Sequence, residues 1–101
     1  MTTTIVITTV DGDKRSSFSQ TVGDIAQKHV LRTFNPSGDA KVDATKVLCA
    51  ALIQQMIDLR DSPTDAKGES TSAATKRAAS IAITQCEALQ MQAVKANFVQ
   101  A

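Results

Sequence analysis

The 101-residue sequence contains no tryptophan and no tyrosine, and its only aromatic residues are Phe18, Phe34 and Phe98. A platform of several stacking rings within one chain is therefore excluded, so any base held against an aromatic face must use these phenylalanines. Histidine occurs once, at His29, and no cysteine or serine constellation can be tied to it. We interpret His29 as a surface or partly buried structural residue, and we do not expect catalysis by a positioned base or nucleophile.

The sequence has little net charge and no long apolar run. Its formal charge of +1 lacks the basic surplus that is typical of proteins that bind duplex nucleic acid. A bilayer-spanning helix needs ~20 apolar residues, and the longest uninterrupted apolar run is far shorter. We expect neither duplex nucleic acid nor a membrane as a partner, whereas a small anionic ligand needs only a few local cations.

Cysteine is also scarce. Cys49 and Cys86 lie inside helical apolar patterns with no secretory signal upstream, which favours two reduced, buried thiols in a cytosolic protein. They lack the spacing of a zinc site, and the close pair Asp11 and Asp13 lies in a turn where aspartate is favoured for backbone reasons. The four glycines form no phosphate-binding loop. The sequence therefore predicts no enzyme, no metal and no cofactor.

The β-branched start of the chain predicts a β-hairpin. Strands over Thr3–Val10 and Lys14–Gln20 would flank the Asp-Gly pair at residues 11–12, which is a strong short-range hairpin signal. A short helix should follow, because Thr21 can cap it and apolar residues recur at helical spacing as far as Val30. We expect this helix to end near Thr33.

Two long helices follow a proline- and glycine-containing loop over residues 34–39. The first runs from about Ala40 to Leu59. Its apolar positions are Val47, Leu48, Ala51, Leu52, Met56 and Leu59, with Ile53 and Ile57 widening the stripe. A polar connection separates it from the last helix, which runs to about Phe98 and has three possible caps in Ser70, Thr71 and Ser72. The predicted fold is mainly α: an antiparallel helical hairpin over residues 34–101, preceded by a short β-hairpin and a short helix over residues 1–33.

The last helix is apolar on two sides between Lys76 and Ala96. One stripe contains Ala78, Ile81, Ala82 and Leu89, and the other contains Ala79, Ile83, Cys86, Ala93 and Val94. A helix with two apolar sides needs two neighbours. The preceding helix can be one of them, and in so short a chain the other is expected to be a second copy. Assembly into a symmetric oligomer also supplies the burial that a small core lacks.

A first group of candidate ligand-binding residues lies near the start of the last helix. Arg77, Ser80 and Thr84 fall along one face, where a guanidinium fork suited to phosphate lies beside two hydroxyl groups. On a monomer this would be an ordinary solvated face. Around a symmetry axis each residue is repeated, and the copies converge on one pocket.

A second group combines one ring, one amide and one cation, in Phe34, Asn35 and Lys46. The alternative interpretation is that Phe34 is a hydrophobic staple and that Asn35 begins a turn with the proline after it. Local physical chemistry alone leaves both interpretations open.

The last helix carries the pattern R-x-x-S-[IL]-A-[IL]-T-x-x-E-x-x-x-M-x-A. The matching residues are Arg77, Ser80, Ile81, Ala82, Ile83, Thr84, Glu87, Met91 and Ala93. The preceding FNPSGDAKVDATKVLCAALIQQMIDL contributes Val42, Lys46, Ala50 and Ile53 to a second pattern. Together, from Phe34 to Phe98, they resemble the helical-hairpin domain shared by phage anti-CBASS and anti-Thoeris nucleotide sponges. This chain departs from many relatives at Gln92, where tryptophan is expected, and at Phe34, where the family has tyrosine.

The resemblance implies a symmetric assembly, often a hexamer, that captures cyclic di- or trinucleotide signals in the host bacterial cytoplasm and releases them unaltered. It implies ligand binding by Arg77, Ser80 and Thr84, and a second pocket formed between subunits by Phe34, Asn35 and Lys46. Two alternatives remain at this point. One is a sponge for a cyclic ADP-ribose-type signal, as in anti-Thoeris members, and the other is a purely structural oligomerisation module.

Overall fold

A computed structural model of the protein describes residues 3–7, 18–32, 35, 38–64 and 68–98. It is mainly helical, with a two-stranded antiparallel sheet followed by three helices. The elements in chain order are β1 (Thr3–Ile7), β2 (Phe18–Val22), α1 (Asp24–His29), α2 (Ala40–Asp61) and α3 (Ala73–Ala96). Within these residues no helix is both long enough and apolar enough to cross a bilayer.

The N-terminal β-hairpin is confirmed, but its second strand ends later than predicted. β1 and β2 pair antiparallel, with Thr3 opposite Val22 and Thr4 opposite Thr21. The prediction that Thr21 caps α1 is therefore wrong, because Thr21 belongs to the strand. Gly23 occupies the cap position instead, and its N–H donates to Gln54 Oε1 at 2.9 Å. The Asp-Gly turn at residues 11–12 lies outside the described residues.

The short helix α1 ends at His29, earlier than the predicted Thr33. The chain leaves it through Leu31, whose φ of 51° places it in the left-handed region that stops an α-helix. Arg32 then fixes the exit, because its guanidinium donates to Gln27 Oε1 at 2.8 Å and pairs with Asp43 at 3.2 Å. Periodicity could not predict this early end of α1, because the turn is held by contacts with α2, which lies further along the chain.

The helices α2 and α3 form the predicted antiparallel hairpin. Asp39 caps α2 by accepting a hydrogen bond from the Lys41 N–H, and Ser72 caps α3 by accepting one from the Thr75 N–H. The Cys86 thiol donates to the Cys49 carbonyl at 3.4 Å, so these two cysteines lie at the same level of the pair. α2 extends two residues beyond the predicted Leu59.

One hydrophobic core joins all parts of the described chain. Its buried members are Val22, Ala26, Val30, Ala50, Ile53, Ile83 and Cys86. The side of α2 that faces this core carries Val42, Lys46, Ala50 and Ile53, the residues of the second family-like pattern. Among the predicted apolar positions, Ile53 is buried in the core and Ala51, Met56 and Ile57 pack against it, whereas Leu48 and Leu52 are exposed. Packing against both α1 and α3, which periodicity alone does not specify, selects the buried side.

The two apolar sides of α3 have different surroundings. Ala79, Ile83 and Cys86 are buried, whereas Ile81 and Leu89 on the other side are 50% and 56% exposed. A single chain therefore supplies one of the two predicted neighbours. The exposed side is the structural basis of the self-association proposed below.

Candidate functional site

The row formed by Arg77, Ser80 and Thr84 lies on the exposed surface of α3. Together with Ile81 and Gln85, these residues line a shallow hollow of about 300 Å³. Helical spacing of three and four residues places the three polar side chains along one line. The structure therefore brings the first predicted group together on a surface that a ligand or another chain can reach.

The electrostatics of this row favour an anion. α3 has no acidic residue in its first turn, where the helix dipole is positive, and Lys76 and Arg77 follow directly. Within the described part of the chain, Arg77 makes no hydrogen bond or ion pair. Thr84 Oγ1 donates to the Ser80 carbonyl at 3.3 Å, so its oxygen lone pairs remain able to accept. The guanidinium is the strongest donor that this surface offers.

The second predicted group lies elsewhere. Lys46 is 5% exposed, and its ammonium donates to the Leu31 carbonyl at 3.0 Å. Asn35 is half-buried, and its amide donates to the Asp39 carbonyl at 3.2 Å, across the loop that leads into α2. Phe34 lies outside the described residues. The Asn35 contact matches the turn interpretation, and the ligand-binding role of this group stays a prediction.

Within one chain the two groups do not meet. Cys49 in α2 and Cys86 in α3 lie side by side, and the two helices run antiparallel. Lys46, about one turn before Cys49, is therefore at the level of Gln90, about one turn after Cys86. At 1.5 Å per residue, Arg77 lies about 20 Å further along α3. Two separate sites, or sites completed by different subunits, are the arrangements that this geometry allows.

A further concave surface, which the sequence analysis did not predict, lies where α1 approaches α3. His29 Nδ1 and Glu87 Oε1 are 2.9 Å apart across it. We call this surface the α1–α3 groove; it has a volume of about 450 Å³ and is lined by Ile25, Lys28, His29, Leu31, Glu87, Gln90 and Met91. His29 is one-third exposed, so it is partly buried; its structural role stays a prediction. Contacts between residues 58 positions apart leave no local signal in a sequence.

Gln90 is the most unusual residue of the groove. Gln90 is 5% exposed, and its Oε1 is buried without a hydrogen-bond partner among the described residues. Leaving a buried acceptor unpaired costs on the order of 1–3 kcal/mol. The sequence indicates that Gln90 is buried, because it follows Ala79, Ile83 and Cys86 at helical spacing on the buried side of α3.

The two cysteines are free, and Cys86 is buried as predicted, whereas Cys49 is only half-buried. Burial raises the pKa of Cys49, and burial together with the neighbouring Cys49 raises the pKa of Cys86 to about 11. A thiol with a raised pKa carries little thiolate at neutral pH and is a poor nucleophile. Three or more potential metal ligands do not cluster anywhere in the described residues. Asp11 and Asp13 lie outside them.

The raised pKa of Cys86 predicts a pH-dependent stability. Its contribution should be complete below the ordinary thiol pKa of 9.0 and should be lost as the pH rises towards about 11, because only the unfolded chain then ionises freely. We expect a loss of about 1 kcal/mol after allowing for solvent screening. Urea unfolding of wild type and Cys86→Ala across this pH range measures it, and equal slopes for both proteins would contradict the prediction.

Comparison with models of known protein families finds no match. Neither the curated proteins nor the solved structures that were compared with the chain give a significant match.

Proposed function

We propose that this chain is a phage anti-defence protein that binds cyclic oligonucleotide immune signals in the host cytoplasm and sequesters them without cleavage. The observation that carries the proposal is the exposed row of Arg77, Ser80 and Thr84 around an open hollow. The Arg77 guanidinium can donate charge-assisted hydrogen bonds and the Ser80 hydroxyl a neutral one to phosphate oxygens, while Thr84 Oγ1, which donates its proton to the Ser80 carbonyl, can accept from an N–H group of a base. The family-like pattern of the last helix assigns the same three residues to the ligand.

A shallow hollow on one chain gives few contacts, so the proposal includes a symmetric assembly. Each added copy repeats the row, and rows that meet near a symmetry axis enclose the ligand from several sides. A hexamer is the assembly that the resemblance favours. Sequestration also depends on affinity alone. Nanomolar binding corresponds to about −12 kcal/mol, and several phosphate and base contacts from more than one subunit would supply it.

The exposed side of the helical hairpin is suited to a second copy. Between Ala78 and Val94 the only charged residue of α3 is Glu87, which faces α1. Leu89 lies on the opposite side of the helix, and Leu48 and Leu52 of α2 are also exposed. Two helices side by side, each about 10 Å wide and more than 30 Å long, present roughly 650 Å². That area approaches the ~800 Å² that each partner buries in a standard interface.

Calorimetry tests the proposal directly. Purified protein is titrated with a panel of cyclic di- and trinucleotides and with cyclic ADP-ribose isomers, and the ligand is then recovered by heating and analysed by chromatography. Tight binding of a cyclic oligonucleotide with intact recovery is expected. A cleaved ligand would contradict sequestration, and absence of binding across the panel would favour a structural oligomerisation module.

The second candidate function is capture of a cyclic ADP-ribose-type signal. The feature that favours it is the N-terminal β-hairpin, which lies outside the part of the chain that resembles the family and packs on α2 through Gln20 and Asp58 at 3.2 Å. The same titration separates the two functions, because each signal class is present in the panel.

A further inference from the structure

Cys49 and Cys86 lie opposite each other in the middle of the helical hairpin. Each is several turns away from the ends of its helix, where an α-helix frays least. The Cys86 Sγ is 3.4 Å from the Cys49 carbonyl oxygen, and the two thiol groups also interact directly with each other. Both side chains therefore point into the contact between α2 and α3 at the same level.

The spacing of two packed helices suits a disulfide bridge at such a position. A disulfide joins Cα atoms that are roughly 4.4–6.8 Å apart. Packed helices lie about 8–10 Å apart and their Cα atoms lie about 2.3 Å from each axis, which leaves roughly 5 Å between two residues that face each other. Cys49 and Cys86 can therefore be joined with little movement of either helix.

The two thiols differ in their access to solvent. Cys49 is half-buried, whereas Cys86 is only 4% exposed. A small oxidant therefore reaches Cys49 first, and Cys86 is placed to react with the product. We infer that Cys49 and Cys86 form a reversible oxidation site, at which a peroxide converts the two thiols into a disulfide between α2 and α3. This inference is independent of the proposed function.

The reaction balances with hydrogen peroxide as the oxidant. The Cys49 sulfur attacks one peroxide oxygen, an S–O bond forms as the O–O bond breaks, and the leaving hydroxide takes the thiol proton to give water. The Cys86 sulfur then attacks the Cys49 sulfenic acid, an S–S bond forms as the S–O bond breaks, and a second water leaves with the Cys86 proton. The two thiols lose two electrons, and the peroxide gains them.

Burial sets the conditions under which the site reacts. It raises the pKa of both thiols, so little thiolate is present at neutral pH and the first step is slow. The cysteines should therefore stay reduced in an ordinary cytosol and form the disulfide under sustained oxidation. Cytosolic disulfides are usually transient in this way.

Mass spectrometry of the full-length protein tests the site. The reduced protein is treated with a small excess of hydrogen peroxide, and the remaining thiols are then alkylated. We expect a product about 2 Da lighter than the reduced chain, with a peptide in which Cys49 is joined to Cys86. Cys86→Ala should stop at a sulfenic acid on Cys49, which dimedone traps, and the thiol left in Cys49→Ala should react roughly tenfold more slowly. Two alkylated cysteines after treatment, or a disulfide between two chains, would overturn the inference.

The melting temperature shows whether the bridge fits the native hairpin. A disulfide that closes the loop from Cys49 to Cys86 restricts the unfolded chain, so oxidation should raise the melting temperature by several degrees, and dithiothreitol should reverse the change. Cys49→Ala and Cys86→Ala are matched controls, because peroxide can oxidise Met56 and Met91 in them but cannot form the bridge. Their melting temperatures should change little. A bridged wild type that melts below the reduced protein, or an equal shift in all three proteins, contradicts the assignment.

Discussion

Arg77→Ala should lose at least 100-fold in affinity for the cyclic nucleotide signal while it assembles and melts like wild type. The loss corresponds to about 2.7 kcal/mol, within the range for a charge-assisted contact that is repeated in a symmetric pocket. The fold should not change, because Arg77 is exposed and makes no hydrogen bond or ion pair with the described residues. Calorimetric titration measures the affinity, and sedimentation of the same sample measures the assembly.

Two variants make this result specific. Arg77→Lys keeps the charge but loses the planar fork of donors, so it should recover only part of the affinity. Lys76→Ala removes a neighbouring exposed cation that lies outside the hollow, and it should have a much smaller effect. If Arg77→Ala binds with unchanged affinity, or if Lys76→Ala loses as much as Arg77→Ala, the row is not the phosphate site.

The parts of the fold that sequence analysis predicted correctly are those encoded by neighbouring residues. The helix α3 was predicted from its periodicity and from the possible cap at Ser72, and both signals lie within a few positions of the element. The row of Arg77, Ser80 and Thr84 was found in the same way, because helical spacing alone places these side chains together.

The features that sequence analysis missed depend on contacts between distant parts of the chain. Thr21 has the composition of a helix cap, but pairing with Thr4 draws it into the sheet. Gly23 then caps α1 with support from Gln54, 31 positions away. The α1–α3 groove likewise brings together His29 and Glu87, which are 58 positions apart in the sequence. Periodicity describes each helix by itself, whereas such contacts depend on how the helices pack.

The second large effect concerns assembly. Ile81→Glu should convert the oligomer into a 10.7 kDa monomer and abolish tight nucleotide binding, since a shallow hollow on one chain holds the ligand weakly. A carboxylate at this half-exposed position costs little in the isolated chain, but its burial against another copy carries a large desolvation penalty. Sedimentation velocity gives the mass, and circular dichroism checks that the helices remain.

A matched substitution on another surface shows whether the effect of Ile81→Glu comes from its position. Ile25→Glu makes the same chemical change at an isoleucine that is 67% exposed, on α1 rather than on the uncharged side of the hairpin. It should leave the assembly intact, whereas Leu89→Glu should disrupt it as Ile81→Glu does. If Ile25→Glu dissociates the protein and Ile81→Glu does not, the subunits meet through the α1–α3 groove instead. Because each outcome assigns a different surface to the second copy, this comparison shows which surface of the chain forms the interface.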